Sequence, residues 1–282
     1  RLSTKWQMPS MKSKLLLPME VTMSNNNPLQ PIPCEILNVK KESTHEWTFR
    51  VASDADVDHG QFMQLSIPKV GEVPISVSGQ GDGWLDFTIR SVGKVTNVIF
   101  EKEAGDTLFL RGPYGHGWPV DEFKGKHLVV ITGGTGLAPV RSMVNLCADN
   151  PKTVKDLTLI SGFKNEDGIV FQNELDKWKE HDHFSTTYAL DNDEKEGWST
   201  GLVTTFVKDI PFDTFGDDYA VVVVGPPIMM KFTGLELLKN GVPEEKIWMS
   251  FERKMSCAIG KCGHCRIAET YGCLDGPVFP YT

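Results

Sequence analysis

A small antiparallel β-barrel followed by a parallel α/β sheet, with a small cysteine-bearing lobe at the end, is the β + α/β architecture this chain predicts. Three observations lead there. Between Cys34 and Leu110, short runs of strand-forming residues are separated by Gly-, Pro- and Asp-rich turns, the pattern of a small barrel. After Gly125, continuous apolar runs alternate with helical stretches, as strands buried on both faces and joined by crossover helices do. Near the C-terminus, Cys257, Cys262, Cys265 and Cys273 are spaced C-x4-C-x2-C-x7-C.

The barrel strands are expected at Cys34–Lys41, Glu46–Val51, Phe62–Ile67, Trp84–Ile89 and Thr107–Arg111, with Thr96–Lys102 a short helix across the open end. The second domain starts with the apolar run His127–Thr132, a glycine loop at Gly133–Pro139 and a helix through Cys147. Strands come next at Asp156–Gly162, Phe184–Leu190 and Tyr219–Gly225, with helices at Gln172–Glu180 and Ile228–Lys239. The strand Lys246–Ser250 then feeds directly into the cysteine loop. Domain boundaries fall at 30–122, 123–249 and 250–282. Residues 1–29 show no periodicity, carry Met8, Met11, Met19 and Met23, and read as a flexible N-terminal extension.

A chain of 282 residues has room for two compact domains. Its net charge of -8 gives no electrostatic invitation to nucleic acid or to an anionic membrane. No apolar run approaches the roughly 20 residues a membrane helix needs. The Leu15–Pro18 stretch is too short for a secretory signal. Cysteines grouped as thiolate ligands suit a reducing interior, so a cytoplasmic location is expected. Cys34 and Cys147 stand alone upstream, which argues against a disulfide framework.

The cysteine spacing matches the plant-type pattern for a 2Fe–2S cluster in its first three positions. Gly260 and Gly263 supply the freedom a loop around a cluster requires. A tetrahedral zinc site is the alternative, because C-x2-C is common there.

Gly133, Gly134, Thr135, Gly136, Leu137, Ala138 and Pro139 lie where a buried strand gives way to a helix, the place where open α/β sheets bind ligands. Gly225, Pro226, Pro227 and Met229 have the same placement after another buried strand. Each loop also reads as an ordinary turn or helix start, and two together support one nucleotide site. In the barrel, Pro74, Ile75, Ser76 and Val77 form a small-residue strand that could lie against a flat ring. Ile89, Arg90, Gly93, Lys94, Val95 and Thr96 offer a second anion site at a helix start. Gly112 and Tyr114 belong to a glycine-rich loop, Arg111–Gly117.

These segments, in their order, resemble the ferredoxin–NADP reductase superfamily from about Pro33 to the end. The resemblance rests on the R-G-P-Y-G-x-G-W, G-G-T-G-x-A-P and G-P-P-x-M loops. The cysteine extension narrows it to the branch of dihydroorotate dehydrogenase electron-transfer subunits, small subunits of electron-bifurcating transhydrogenases, sulfhydrogenase gamma subunits and the B subunits of anaerobic sulfite reductase. The stretches Val73–Ser78, Ile89–Thr96, Val223–Met229, Gly260–Arg266 and Asp275–Phe279 look most like the last of these.

The resemblance implies FAD on the barrel, NADH (NADPH not excluded) at the two glycine loops, and a 2Fe–2S cluster on the four cysteines. A hydride enters and electrons leave one at a time, so no general acid or base is implied. The implied partners are a ferredoxin-like A subunit and a sirohaem-containing C subunit. A hydrogenase, transhydrogenase or dihydroorotate dehydrogenase core is the alternative, and a non-catalytic redox sensor or zinc-stapled module the alternative of another class. One departure stands out. The family's flavin motif, Arg-x-Tyr-Ser, has Val73 at the arginine and Ile75 at the tyrosine, with Ser76 retained. Arg90, or backbone N–H groups of Gly93–Thr96, would replace the missing pyrophosphate clamp. Around the cysteines, Arg253, Lys254, Lys261 and Arg266 outnumber Glu252 and Glu269, a basic collar for an acidic partner.

Overall fold

A computed structural model describes residue 27 and residues 29–281; the rest of the extension expected over 1–29 lies outside the described residues. Strands β1 (Ile32–Lys41), β2 (Glu46–Ala52), β3 (Phe62–Ile67), β4 (Gly71–Gly81), β5 (Trp84–Arg90) and β6 (Thr107–Tyr114) close into a barrel in the order β1-β2-β5-β4-β3-β6. Period-two alternation turns Leu85, Phe87 and Ile89 of β5, and Met63, Leu65 and Ile67 of β3, into one interior cluster. Helix α1 (Lys94–Ile99) crosses the barrel with Ile99 in that core, beginning and ending a little before the expected Thr96–Lys102. The expected fragment Pro74–Ser78 is part of the much longer β4, whose polar and glycine residues mask its strand pattern.

After a short helix α2 (Val120–Phe123), β7 (His127–Gly133), β8 (Asp156–Phe163), β9 (Phe184–Leu190), β10 (Ser199–Thr200), β11 (Tyr219–Val224) and β12 (Ile247–Ser250) form a parallel sheet. Its covering helices are α3 (Ala138–Asp149), α4 (Gln172–Trp178) and α5 (Pro227–Lys239). The runs at β7 and β11 are buried throughout, and mostly apolar, because both faces are covered. Leu128, Val130, Val222 and Val224 enter one core, and Val129, Ile131, Val221 and Val223 the other. A 3₁₀ segment, Val203–Asp209, helps cover the second face and had no periodic signal in sequence.

The cysteine segment does not trail from the sheet. Strands β13 (Arg266–Ile267) and β14 (Thr270–Tyr271) form a hairpin within it, and β15 (Val278–Pro280) then returns to pair antiparallel with β12. The sheet order is therefore β10-β9-β8-β7-β11-β12-β15. The lobe is an excursion anchored to the sheet at both ends, and its body packs on the barrel through Phe62, Met255, Ala258, Cys265 and Cys273.

Candidate active site

The order of the sheet reverses between β7 and β11, since β8 lies on one side of β7 and β11 on the other. Ligands of open α/β sheets bind at such a switch point, outside the carboxyl ends of the strands. Both glycine loops lie there and touch. A Cβ on Gly136 would stand 2.6 Å from the carbonyl oxygen of Val224 and 2.7 Å from the Cα of Gly225. A Cβ on Gly225 would meet Met229 Sδ at 2.8 Å and the Gly133 nitrogen at 3.1 Å. Gly134 adopts φ +54 with open space where its side chain would be. Leu137, Ala138 and Pro139 bury their side chains beneath the loop; Ala138 donates its N–H to the Thr135 carbonyl and Pro139 has none, so the N–H groups open to a ligand are those at the start of the 3₁₀ turn Gly134–Leu137 that leads into α3. The Pro139 carbonyl accepts the indole N–H of Trp118 at 2.9 Å. Thr135, Pro226 and Pro227 remain at the mouth. The crevice between the two loops is walled by backbone.

On the barrel, Pro74 and Ser76 line a cleft with Phe62, Met255, Pro277 and two residues just beyond β12, Glu252 and Arg253. The strand alternates around them. Val73 and Ile75 pack toward the barrel core and Val77 is 1% exposed, so Ile75 and Val77 do not face the cleft. Val73, at the position of the family's arginine, shares the core-facing side of the strand with Ile75. Ile89 is fully buried in the barrel, and Arg90 pairs with Glu46 at 3.3 Å on the surface, which leaves neither in the cleft. At the start of α1, Thr96 Oγ1 accepts N–H bonds from Val92 at 3.1 Å and Gly93 at 2.9 Å. Those two groups are already engaged, and the first-turn N–H groups of Lys94, Val95 and Thr96 are the ones that helix start offers. Val95 packs by its side chain against the barrel, while Lys94 is exposed. Gln64, paired with Pro74 across β3 and β4, is fully buried with neither amide atom partnered in the protein. An unpaired donor and acceptor buried beside this wall suit the heteroatom edge of a flavin ring. These residues fit a flavin.

The end of β6 and the loop after it join the barrel to the lobe. Gly112, at φ +132, sits where a Cβ would meet Met63 Sδ at 2.9 Å. Tyr114 turns toward the lobe, its ring 5.8 Å from that of Phe62 and its hydroxyl bonded to Arg111 at 2.9 Å. His116 donates its N–H to the Gly276 carbonyl at 2.7 Å.

Within the lobe the sulfurs of Cys265 and Cys273 are 3.4 Å apart. Backbone N–H groups point at sulfur throughout. Ile259, Lys261 and Cys262 donate to Cys257 Sγ at 3.3–3.5 Å, and Gly260 donates to Cys273 Sγ at 3.2 Å. Backbone hydrogen bonds at His264, then at Cys257, hold the exposed Cys262 thiol down to about 7. Burial pushes Cys273 up to about 12, which a coordinated metal would reverse. Among the described residues no three His, Cys, Asp or Glu side chains converge on one point. N–H groups aimed at several thiols suit a thiolate-held iron–sulfur cluster, whose potential such bonds tune. Cys34 and Cys147 are free and remote from one another in sequence, and burial lifts Cys147 to about 12.

Residues 130–234 match the oxidoreductase NAD-binding domain family, and residues 252–282 match the iron–sulfur cluster binding domain of dihydroorotate dehydrogenase B. The chain is 34% identical to the gamma subunit of sulfhydrogenase 1 from Pyrococcus furiosus, over 95% of its own length and 96% of that subunit's. The chain belongs to the ferredoxin–NADP reductase-like family with a dihydroorotate dehydrogenase B-type iron–sulfur domain. A probable electron transfer subunit of dihydroorotate dehydrogenase B from Thermoplasma volcanium is also 34% identical, with 85% of each chain covered. In fold, this member of the family is similar to an NADH-dependent reduced ferredoxin–NADP oxidoreductase, with a TM-score of 0.71 at 23% identity covering 91% and 89% of the two chains. It is also similar to the cytochrome b5 reductase domain of Ulva prolifera nitrate reductase, with a TM-score of 0.68 at 23% identity covering 80% and 98%.

Like its relatives in the reductase-like family, the chain is an NAD(P)H-dependent oxidoreductase subunit with an iron–sulfur domain. Among the described residues no helix is long and apolar enough to cross a membrane. These relatives are the sulfhydrogenase and dihydroorotate dehydrogenase subunits that the motifs offered as alternatives to sulfite reductase. The basic collar is partly engaged within the lobe. Arg253 donates to the Arg266 carbonyl at 3.0 Å and Arg266 pairs with Glu269 at 3.0 Å, leaving Lys254 and Lys261 exposed. Sequence reasoning passed over Gln64 and Glu72, and read Arg111 only as the first residue of the glycine-rich loop. The signal available for a role was a charged residue in a strand whose preceding residues, Leu108–Leu110, are apolar.

Proposed function

We propose that this chain is the electron-input subunit of a larger redox complex, oxidising NADH at FAD on the barrel wall and passing electrons through a 2Fe–2S cluster to a hydrogenase-type partner. The observation that carries this reading is the packing of the cysteine lobe on Phe62, beside the cleft that Pro74 and Ser76 line. The near full-length likeness to a sulfhydrogenase gamma subunit supports the partner class. The stretches Val73–Ser78 and Gly260–Arg266 favour a second reading, in which the partners are the ferredoxin-like and sirohaem subunits of an anaerobic sulfite reductase.

A flavin bound here supplies the conversion of a hydride, two electrons with one proton, into single electrons that a cluster can carry. The chain's own residues do the placing. Gly133, Gly136 and Gly225 keep two backbone loops in contact so that N–H groups at the start of the 3₁₀ turn Gly134–Leu137 meet a pyrophosphate. Ser76 presents a hydroxyl on the cleft side of β4, while Phe62 and Met255 exclude water between cleft and lobe. Gln64 holds a donor and an acceptor ready for the ring edge. The thiol-directed N–H groups stabilise thiolate ligands.

The natively purified complex should contain flavin, iron and acid-labile sulfide, bleach with NADH, and reduce an artificial dye. Zinc in place of iron, or no NADH-dependent turnover with all four cysteines intact, would overturn the reading. A co-purifying nickel–iron chain supports the first partner class and a sirohaem chain the second. Steady-state rates with NADH and NADPH decide the coenzyme.

A further inference from the structure

Arg111 stands at the end of β6 with its side chain only 7% exposed. Its Nε donates to Glu72 Oε1 at 2.8 Å and its Nη2 to Glu72 Oε2, a bidentate pair with β4. The other edge of the guanidinium faces the lobe. Nη1 donates to the Cys257 carbonyl at 2.8 Å and to the Tyr114 hydroxyl at 2.9 Å, and Nη2 donates to the Ser256 carbonyl at 3.2 Å. One planar fork thus ties the strand that carries Pro74 and Ser76 to the backbone of the first cysteine in the cluster motif. A lysine, with a single point of charge, cannot make both edges at once.

The backbone just beyond Cys257 reveals the purpose of the tether. Ala258 is 1% exposed and adopts φ +61, a left-handed conformation that costs a non-glycine residue energy unless its surroundings impose it. Because a trans peptide points its C=O and the next N–H in opposite directions, fixing the Cys257 carbonyl fixes the Ala258 peptide. The left-handed residue then turns the chain back, and the N–H groups of Ile259, Lys261 and Cys262 arrive at Cys257 Sγ. Glu72 neutralises the fork, so the burial of a cation on this path is compensated.

We propose that Arg111 is a positioning residue for electron exit, a buried fork that holds the first cluster ligand against the flavin-side wall and thereby fixes both the gap electrons cross and the N–H set around Cys257. The inference rests on the functional reading above. Wild type, Arg111→Lys, Arg111→Gln and the double variant Arg111→Gln/Glu72→Gln are compared as full chains. Hydrogen exchange over residues 256–265, iron content, the potential and electron paramagnetic resonance of the reduced cluster, and stopped-flow reduction by NADH are read for each.

Arg111→Gln should lose exchange protection in the loop and retain the cluster about 10-fold less well. Its cluster potential should fall, because the Glu72 carboxylate is left unpaired. Its cluster-reduction phase should slow about 10-fold more than its flavin-bleaching phase. The double variant should recover the potential but neither the loop protection nor the fast second phase, which separates charge from geometry. Arg111→Lys should resemble the double variant, and it keeps the comparison open if the glutamine variants fail to fold. Wild-type loop protection and wild-type cluster kinetics in Arg111→Lys would overturn the proposal. A wild-type chain without flavin or iron would overturn the functional reading instead, and exchange in the metal-free proteins would still decide whether Arg111 holds the loop.

Discussion

Two bodies dock on the barrel, and they dock in different ways. The nucleotide crevice is held through α3, where Arg141 reaches Asp86 at 3.2 Å and the Ser78 carbonyl at 3.3 Å, and also pairs with Glu174. Asp86 also takes a bidentate pair from Arg50 at 2.8 and 2.9 Å. The cluster lobe is held through Arg111 and Glu72. In the first dock the arginines grip mainly other side chains, and the crevice itself is built from glycine backbone. In the second the arginine grips the very loop that carries the ligands. The difference teaches that the crevice can be disturbed without its clamp, whereas the lobe's clamp and site are one device.

The largest effect should come from breaking the lobe's chemistry outright. Cys265→Ser removes a buried thiol facing Cys273 at 3.4 Å, and the iron and its visible absorption should be lost entirely, as metal analysis of the purified chain would show. Flavin bleaching by NADH should suffer less than in a crevice variant. Equal loss in both would erase the distinction between the two docks.

Next comes the crevice clamp. Asp86 has a side chain 2% exposed between two arginines. Removing it in Asp86→Ala leaves both guanidinium groups without this partner and should cost about 3–5 kcal/mol, read as a fall in the urea midpoint. The iron content per folded chain should hold, because the lobe relies on another arginine. Parallel loss of iron would mean that the two docks are coupled.

These contrasts also explain which features could be read from the sequence. The barrel and sheet were legible because their strands carry their own pattern, as in the wholly buried run Tyr219–Val224. The crevice was legible because glycine is needed where Gly136 lies against Val224, and glycine is visible in any sequence. The cysteines were legible by spacing. The tethers were not, since Arg111 lies 146 positions from Cys257 and Arg141 lies 55 from Asp86, and no local pattern announces such a meeting. Strand β15 was missed for the same reason: its three residues become a strand only by pairing with β12. Pleat direction also sorts the β4 and β5 residues read as ligand contacts: Pro74 and Ser76 are on the cleft face, while Ile75, Val77 and Ile89 turn toward the barrel core.

A smaller effect is expected where backbone meets backbone. Gly136→Val puts a side chain into the Val224 carbonyl, and no flexible group can yield. Stability should fall by about 1–3 kcal/mol. The KM for NADH should rise about tenfold or more, since each 1.4 kcal/mol of binding is a factor of ten. Chemical reduction of the cluster by dithionite should proceed as in wild type, and a slowed dithionite reaction would show that the crevice supports the lobe after all.

The smallest effect is a pH slope belonging to the lobe's clamp alone. Burial pulls the Glu72 carboxyl up, but hydrogen bonds from Arg111 and Ser66 and the charge of Arg111 outweigh it, so it ends below its ordinary 4.5. A group depressed in the folded state binds more protons when unfolded, so stability rises with pH across the interval. The contribution is fully present above the unfolded value and is lost as pH falls through the folded one. Urea midpoints should therefore drop more steeply below about pH 4.5 in wild type than in Glu72→Gln, which has no proton to take up. Hydrogen exchange in the 256–265 loop should follow the same curve in wild type, because protonating Glu72 loosens the fork that holds Cys257. Protection in that loop that stays flat while the midpoint falls would divorce Glu72 from the lobe and leave Arg111 holding it alone.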